Sequence, residues 1–229
     1  ATLSHSLPEW VGSHIRMFNF FGRVPEVIVP DNLKSGVSIP CRYDPVINRT
    51  YYAMAKHYGT SVIPARPRKP RDKAKAEQGV LLAERWILAS LRNRRFFSLD
   101  ELNRAIRTLL KKLNAKPFQK LPGSRDSMFS DIEKTALMPL PQASFAMCDF
   151  KTSKVNINYH VEINRHNYSV PHQFVGKKVD VRFTSKIVEI FYDSQRIASH
   201  RRSDKVGGYT TLKDHMPEKH KAHVKWTPE

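Results

Sequence analysis

The sequence predicts three successive parts: an α/β layer, a helical connector and a small all-β barrel. Three observations predict them. Between residues 26 and 64, two short apolar runs without polar alternation flank an amphipathic helix. That is the pattern of buried parallel strands joined by a right-handed crossover. From about 72 to 136, apolar residues recur at helical spacing. From 155 the period changes to two. The divisions fall at 1–97, 98–153 and 154–229, with a Pro-broken linker over 138–153.

Each element has its own signals. Ser6 and Glu9 read as a capping box. Leu7, Trp10, Val11, His14, Ile15, Phe18 and Phe21 then follow at helical spacing, and Gly22 is the stop. These aromatics are assigned to packing rather than to base stacking. Val27, Ile28 and Val29 form a strand closed by Pro30, and 32–43 reads as irregular. Asp44-Pro45 reads as an N-cap followed by proline at the first helical position. Ile47, Tyr51, Met54, Ala55 and Tyr58 give that helix its stripe, and Gly59 ends it. Ser61 to Ile63 is the second strand. A helix from about Asp72 turns Ala76, Val80, Ala83, Ile87 and Leu91 to one face. Ser98 and Glu101 open the next, with Leu102, Ile106, Leu109, Leu110 and Leu113 inward. A short helix follows near 127–136.

In the β-rich part, Val155, Ile157, Tyr159, Val161 and Ile163 alternate with polar residues and read as one half-buried strand. Asn164 to Asn167 is a turn. Val179, Val181 and Phe183, then Val188, Ile190 and Tyr192, give two more strands, with turns at 184–186 and at Asp193-Ser194. Short strands at this spacing suggest a barrel. The tail from 200 is basic, His-rich and weakly patterned, and there is no internal repeat.

Charge narrows the function. The 229 residues carry 39 Lys plus Arg against 21 Asp plus Glu, a net charge of +18. Such an excess points to a polyanion, nucleic acid before anionic membrane. No run approaches the roughly 18 apolar residues of a bilayer span. The two cysteines, Cys41 and Cys148, match no metal or redox spacing and read as neutral thiols of a reducing cytosol. There is no signal peptide, no initiator Met and no Gly-rich phosphate loop. The missing Met and the early first helix suggest a piece of a longer protein. His215, His220 and His223 lack a Cys or acid to complete a zinc spacing, and their structural reading is preferred.

Two carboxylates carry the chemistry. Asp31 leaves the carboxyl end of the first strand. The second strand ends at Pro64 on the same sheet edge, where open α/β sheets place their sites. Glu77 lies about 8 Å along the following helix. Converging carboxylates suit Mg²⁺, which takes one or two of them and keeps water and phosphate oxygens elsewhere. Two such ions hold the attacking and leaving oxygens of a phosphoryl transfer. The alternative is a pair of solvated surface acids. The intervening loop favours the first: Arg66, Arg68, Lys69, Arg71, Lys73 and Lys75 crowd together with only Asp72 opposing. These, with Lys34, are assigned to a phosphate backbone. Arg201 and Arg202, with Lys205 and Lys213, read equally as DNA contacts or as a solvated face.

The segments Gly22 to Val37 (GRVPEVIVPDNLKSGV) and Lys73 to Val80 (KAKAEQGV) resemble insertion-sequence transposases of the IstA type. These belong to the integrase-like group with three catalytic carboxylates on a ribonuclease H-like fold. Ser124 to Glu133 (SRDSMFSDIE) with Leu140-Pro141 also resembles that family. So do Tyr168 to Pro171, His200 to Arg202 and His215 to Pro217, within the barrel also seen in phage Mu-type transposases. The resemblance covers nearly the whole chain, with its motifs in order. It implies Mg²⁺-dependent strand cleavage and strand transfer, in a two-metal site where Mn²⁺ is also admissible. Asp31 matches the second Asp and Glu77 the Glu. It implies DNA as partner, a homo-oligomer, an AAA+ ATPase helper and a bacterial cytoplasm at the nucleoid. The first Asp has no match here, so the chain reads as a partial ribonuclease H-like core that is inactive alone and exposes a strand edge. The competing reading is a non-catalytic basic nucleic-acid-binding protein, or an inactive transposase remnant. A pure oligomerisation module fits the helices at 72–113 but not the charge.

Overall fold

The computed structural model describes residues 1–30, 37–39, 46–65 and 74–221. The chain divides into two compact units, Ala1–Phe145 and Ala146–Glu229.

The first unit is built on two helices. Helix α1 (Leu7–Phe21) buries Val11, His14 and Phe18. It packs on α2 (Arg49–Tyr58), which buries Tyr51, Met54, Ala55 and Tyr58. Phe18 meets Tyr58 at 4.8 Å between ring centroids, and His14 meets Tyr51 at 5.0 Å. The aromatics are therefore core. Gly22 and Gly59 end the two helices in the left-handed conformation that glycine adopts without a Cβ penalty. Ser6 does not close a capping box: its hydroxyl meets Ser4, and Glu9 faces Arg16 at 3.5 Å.

Helix α2 begins later than Asp44-Pro45 suggests. Strand β3 (Val37–Ile39) pairs antiparallel with β4 (Val46–Ile47). Asn48 is the true N-cap, its Oδ1 accepting from the N–H of Thr50 and Tyr51. The β-branched pair Val46-Ile47 favours a strand, and Asn is at least as good a cap as Asp.

Strand β1 (Arg23–Val24) leads to β2 (Val27–Ile28). β2 pairs in parallel with β5 (Ser61–Val62), as the crossover reading requires. The pair is not buried on both faces. Ile28 is buried, but Val27, Val29 and Ile63 are 44%, 56% and 56% exposed. Among the described residues these two strands form a sheet of their own.

A long helical run follows. α3 (Ala74–Ala83) passes through a π-helical turn (Glu84–Leu88) into α4 (Ala89–Leu91). Only its far end is covered. Ile87 and Leu91 pack with Leu113 of α5 (Leu99–Ala115) and with Leu102, Ile106 and Leu109. The near end of the expected apolar face is open, with Val80 57% exposed. No described element packs there. Ser98 caps α5 by accepting from the Glu101 N–H at 3.1 Å. The Glu101 carboxylate reaches one residue further back, to the Phe97 N–H.

The connector ends with α6 (Arg125–Met128), a π turn (Phe129–Glu133) and α7 (Lys134–Ala136). Strand β6 (Met138–Pro139) then returns to pair antiparallel with β1. The next stretch stays on the first unit: His57 Nε2 meets the Ala143 carbonyl at 2.8 Å.

The second unit has two open sheets. One has the order β12-β11-β10-β7. Its strands are Asp149–Lys154 (β7), Lys178–Phe183 (β10), Ile187–Tyr192 (β11) and Gln195–Arg201 (β12), all antiparallel to their neighbours. The other has the order β13-β9-β8, from His160–Ile163 (β8), His166–Ser169 (β9) and Tyr209–Thr210 (β13). Val161, Ile163, Tyr168 and Val170 share one core with Val179, Val181, Val188 and Ile190. Two sheets thus meet on one core, but the described strands do not close into a barrel.

The alternation over 155–163 is not one strand. Asn156 to Tyr159 is a turn, closed by the Tyr159 N–H on the Asn156 carbonyl, and Ile157 is 93% exposed. A chance period of two there disguised the turn. Asn164-Arg165 and Asp193-Ser194 have φ of 50°, 64°, 48° and 64°. Positive φ at both central residues is the mark of the type I′ hairpin, which matches strand twist.

Candidate functional site

The two strands that lead to the candidate carboxylates end together. The Ile63 N–H donates to the Ile28 carbonyl at 2.9 Å, and the Ala65 N–H donates to the Pro30 carbonyl at 3.0 Å. Pro30 immediately precedes Asp31, and Ala65 immediately precedes the basic run that starts at Arg66. One sheet edge therefore launches both segments. The chemical reason is the parallel register: β2 and β5 run the same way, so their carboxyl ends coincide.

Asp31 itself lies outside the described residues, as do Lys34, Arg66, Arg68, Lys69, Arg71 and Lys73. Lys75 is the second residue of α3. Glu77 is in the first turn of α3, and its side chain is exposed. An acid there is favoured by the partial positive charge of the helix start. Glu77 has no hydrogen-bond or ion-pair partner among the described residues. Carboxylates are the donors that Mg²⁺ prefers, and an accessible, uncommitted Glu77 fits that requirement. Among the described residues, no three His, Cys, Asp or Glu side chains are grouped so as to hold a metal.

The two arginines of the second unit differ. Arg201 is exposed. Arg202 Nη1 donates to the Thr184 carbonyl at 2.8 Å, and its guanidinium lies 5.5 Å from the Phe183 ring centroid. Nε also sits 4.0 Å from Asp204. Arg202 thus fastens the β10–β11 turn, whereas Arg201 presents its charge to solvent.

Weak patterning hid a set of buried histidines. His160, His166, His200 and His215 are each under a tenth exposed. His166 Nδ1 meets the Lys205 carbonyl at 2.7 Å, and Nε2 meets the Thr210 hydroxyl at 2.8 Å. His200 Nε2 meets the Ser169 carbonyl at 2.7 Å, and His215 Nδ1 meets the Ser169 hydroxyl at 2.8 Å. That hydroxyl also accepts from the Leu212 N–H. His160 Nε2 meets the Thr211 hydroxyl. The tail from 203 to 215 is thereby laced onto β8 and β9. Burial pushes the pKa of His160, His200 and His215 down. Burial likewise raises that of the Cys148 thiol, which keeps it neutral, while Cys41 lies outside the described residues. Of the His215, His220 and His223 set, His215 belongs to this lacing, and His223 lies outside the described residues. The histidines' spacing in sequence could not reveal the lacing, because the partners named above are 31 to 51 residues away.

Comparison with known proteins adds two findings. Residues 140–212 match the family model described as Mu transposase, C-terminal domain. The whole chain is similar to insertion-sequence proteins. It is 46% identical over 228 residues to a candidate transposase of Sinorhizobium fredii, covering 100% of this chain and 44% of that protein. It is 45% identical over 228 residues to a candidate transposase for insertion sequence IS408 of Burkholderia multivorans, again covering 100% and 44%. A transposase for insertion sequence element IS232 of Bacillus thuringiensis is 28% identical over 192 residues, covering 81% of this chain and 43% of that protein. The chain thus spans less than half the length of these relatives.

Proposed function

We propose that the chain is part of an insertion-sequence transposase of the IstA type, acting on DNA by Mg²⁺-dependent strand cleavage and strand transfer. The observation that carries this reading is similarity along the entire chain, at 44–46% identity, to proteins named as transposases. The shared edge at Pro30 and Ala65 supports the placement of the chemistry. Asp31 and Glu77 are the carboxylates that would hold Mg²⁺, or Mn²⁺ in its place. When bound, the metal would supply Lewis-acid stabilisation of the phosphoryl oxygens. A third carboxylate, from sequence outside these 229 residues, completes the set in the whole protein. On this reading residues 1–97 belong to a ribonuclease H-like core, and the helices from 98 onward form its connector.

The remaining residues act by position and charge. Asp31 follows Pro30 in sequence, and the Ala65 N–H fixes the Pro30 carbonyl at the strand edge. Arg66, Arg68, Lys69, Arg71, Lys73 and Lys75, with Lys34, hold the phosphate backbone beside it. On the second unit, exposed Arg201 offers a phosphate contact of its own, and Arg202 holds the β10–β11 turn. The working enzyme is a homo-oligomer assisted by an AAA+ ATPase.

The test uses the full-length protein. Asp31→Asn and Glu77→Gln should each reduce Mg²⁺-dependent strand transfer at least about a hundredfold, the scale seen when an essential electrostatic stabiliser is removed. DNA binding should persist in both. Strand transfer retained by either variant contradicts the assignment and favours a non-catalytic DNA-binding protein.

A further inference from the structure

We propose that the helical hairpin of α4 and α5 carries a separate binding surface for the phosphate backbone of nucleic acid. The inference rests on the reading of the chain as a DNA-binding protein and deepens it. The surface lies away from residues 66–75 in sequence.

Packing creates it. α5 turns Leu102, Ile106, Leu109 and Leu113 toward Ile87 and Leu91, so its opposite face is outward. On that face Arg104, Thr108 and Lys112 recur every four residues. Side chains spaced by four lie above one another on a helix. They flank an open groove whose far wall is Arg94, from the loop before the helix. Arg94 is held 5.0 Å from the Phe96 ring centroid. Arg104, Arg107, Lys111, Lys112 and Lys116 are all exposed. None of these cations has an ion pair among the described residues.

The one acid in the groove is already engaged. Glu101 accepts from the Phe97 N–H at 3.1 Å and caps the start of α5. Over residues 92–116 there are eight Arg or Lys against Asp100 and Glu101, a local excess of 8 − 2 = +6. A segment with that excess attracts a polyanion.

The spacing suits a nucleic-acid strand better than an acidic peptide. From Arg104 to Lys112 is about 12 Å at the helical rise, which spans about three to four nucleotides at 3.4 Å each. Thr108 adds a hydroxyl between the two cations, and its Oγ1 bonds the Arg104 carbonyl at 3.1 Å. Phe97, 94% exposed, precedes the helix, and its N–H donates to Glu101 of the groove. Cations interleaved with an exposed aromatic ring fit a backbone with bases attached.

The test measures binding of the 229-residue chain to a labelled DNA duplex across a salt series. The double variant Arg104→Gln, Lys112→Gln removes two contacts. The slope of log affinity against log salt should fall by about 1.8, and affinity at roughly 0.1 M salt should fall about tenfold or more. A control variant, Lys56→Gln with Lys134→Gln, removes the same charge from exposed positions elsewhere in the unit. Its slope should stay at the wild-type value. Circular dichroism and melting of all variants verify that each is folded. Equal slopes for the wild type and the hairpin variant overturn the inference alone. So does an equal loss in the control, which would mean diffuse charge. Binding of polyglutamate that the hairpin variant loses, with an unchanged DNA slope, assigns the surface to an acidic protein and also overturns it. A wild-type chain without salt-dependent DNA binding overturns both this inference and the functional reading beneath it.

Discussion

Single residues in the second unit couple its packing to pH. His160, His200 and His215 are held uncharged by burial, with folded-state pKa values below the usual 6.5. The unfolded chain therefore binds more protons than the folded chain as pH falls below that value. Stability is complete above about pH 6.5 and declines as pH falls toward the lowered folded values. Hydrogen exchange of the amides of residues 166–169 should therefore speed up between pH 7.5 and pH 5, after correction for intrinsic exchange. His215→Asn should flatten that dependence. Protection that is constant across the window would contradict the account. Among the described residues of the first unit there is a comparable group. His14 is also pushed down by burial and meets the Tyr51 hydroxyl at 3.1 Å. His14 was visible through its place in the stripe of α1, but the roles of His160, His200 and His215 were not, since these histidines show no common period. Lone histidines acquire meaning only from partners that folding brings near.

Elements were legible where local chemistry dictated them. Gly22 and Gly59 stop their helices because each must take positive φ. The Tyr51, Met54, Ala55 and Tyr58 stripe is buried as its period requires. The parallel pairing of β2 with β5 followed from strand, helix, strand order. Elements were illegible where tertiary context or a short-range competitor decided. Asn48 displaced Asp44 as the cap, and the turn at 156–159 interrupted an alternation that looked continuous. Val80 lies on a face that is apolar by period yet exposed, because α5 covers only the far end of the helix. That contrast is measurable. Leu113→Ala should destabilise the first unit by about 3 kcal/mol in urea unfolding, as a buried leucine does. Leu88→Ala, at a site 55% exposed, should change stability by roughly 0.5 kcal/mol or less. Equal losses would mean that the hairpin core is drawn wrongly.

At the scale of the molecule, a net charge of +18 is distributed over two units with separate cores. Among the described residues no helix is long and apolar enough to cross a membrane. The fold class was legible as α/β, then helices, then strands, because each change of hydrophobic period reports a change of packing partner. The closure of the last part was not, since pairing between strands is set by register and not by period. For the candidate site, strand order, the basic run between them and the family resemblance singled out Asp31 and Glu77; of the two, Glu77 lies among the described residues, exposed in the first turn of α3. The central claim is that these two carboxylates belong to one metal site. The most direct measurement places Fe²⁺ in that position in the full-length protein and, with ascorbate and peroxide, maps backbone cleavage by hydroxyl radicals. The account predicts cleavage clustered both around residues 29–33 and around 75–79, suppressed by excess Mg²⁺ and lost in Glu77→Gln. Cleavage at only one of the two segments, or at neither, would contradict it.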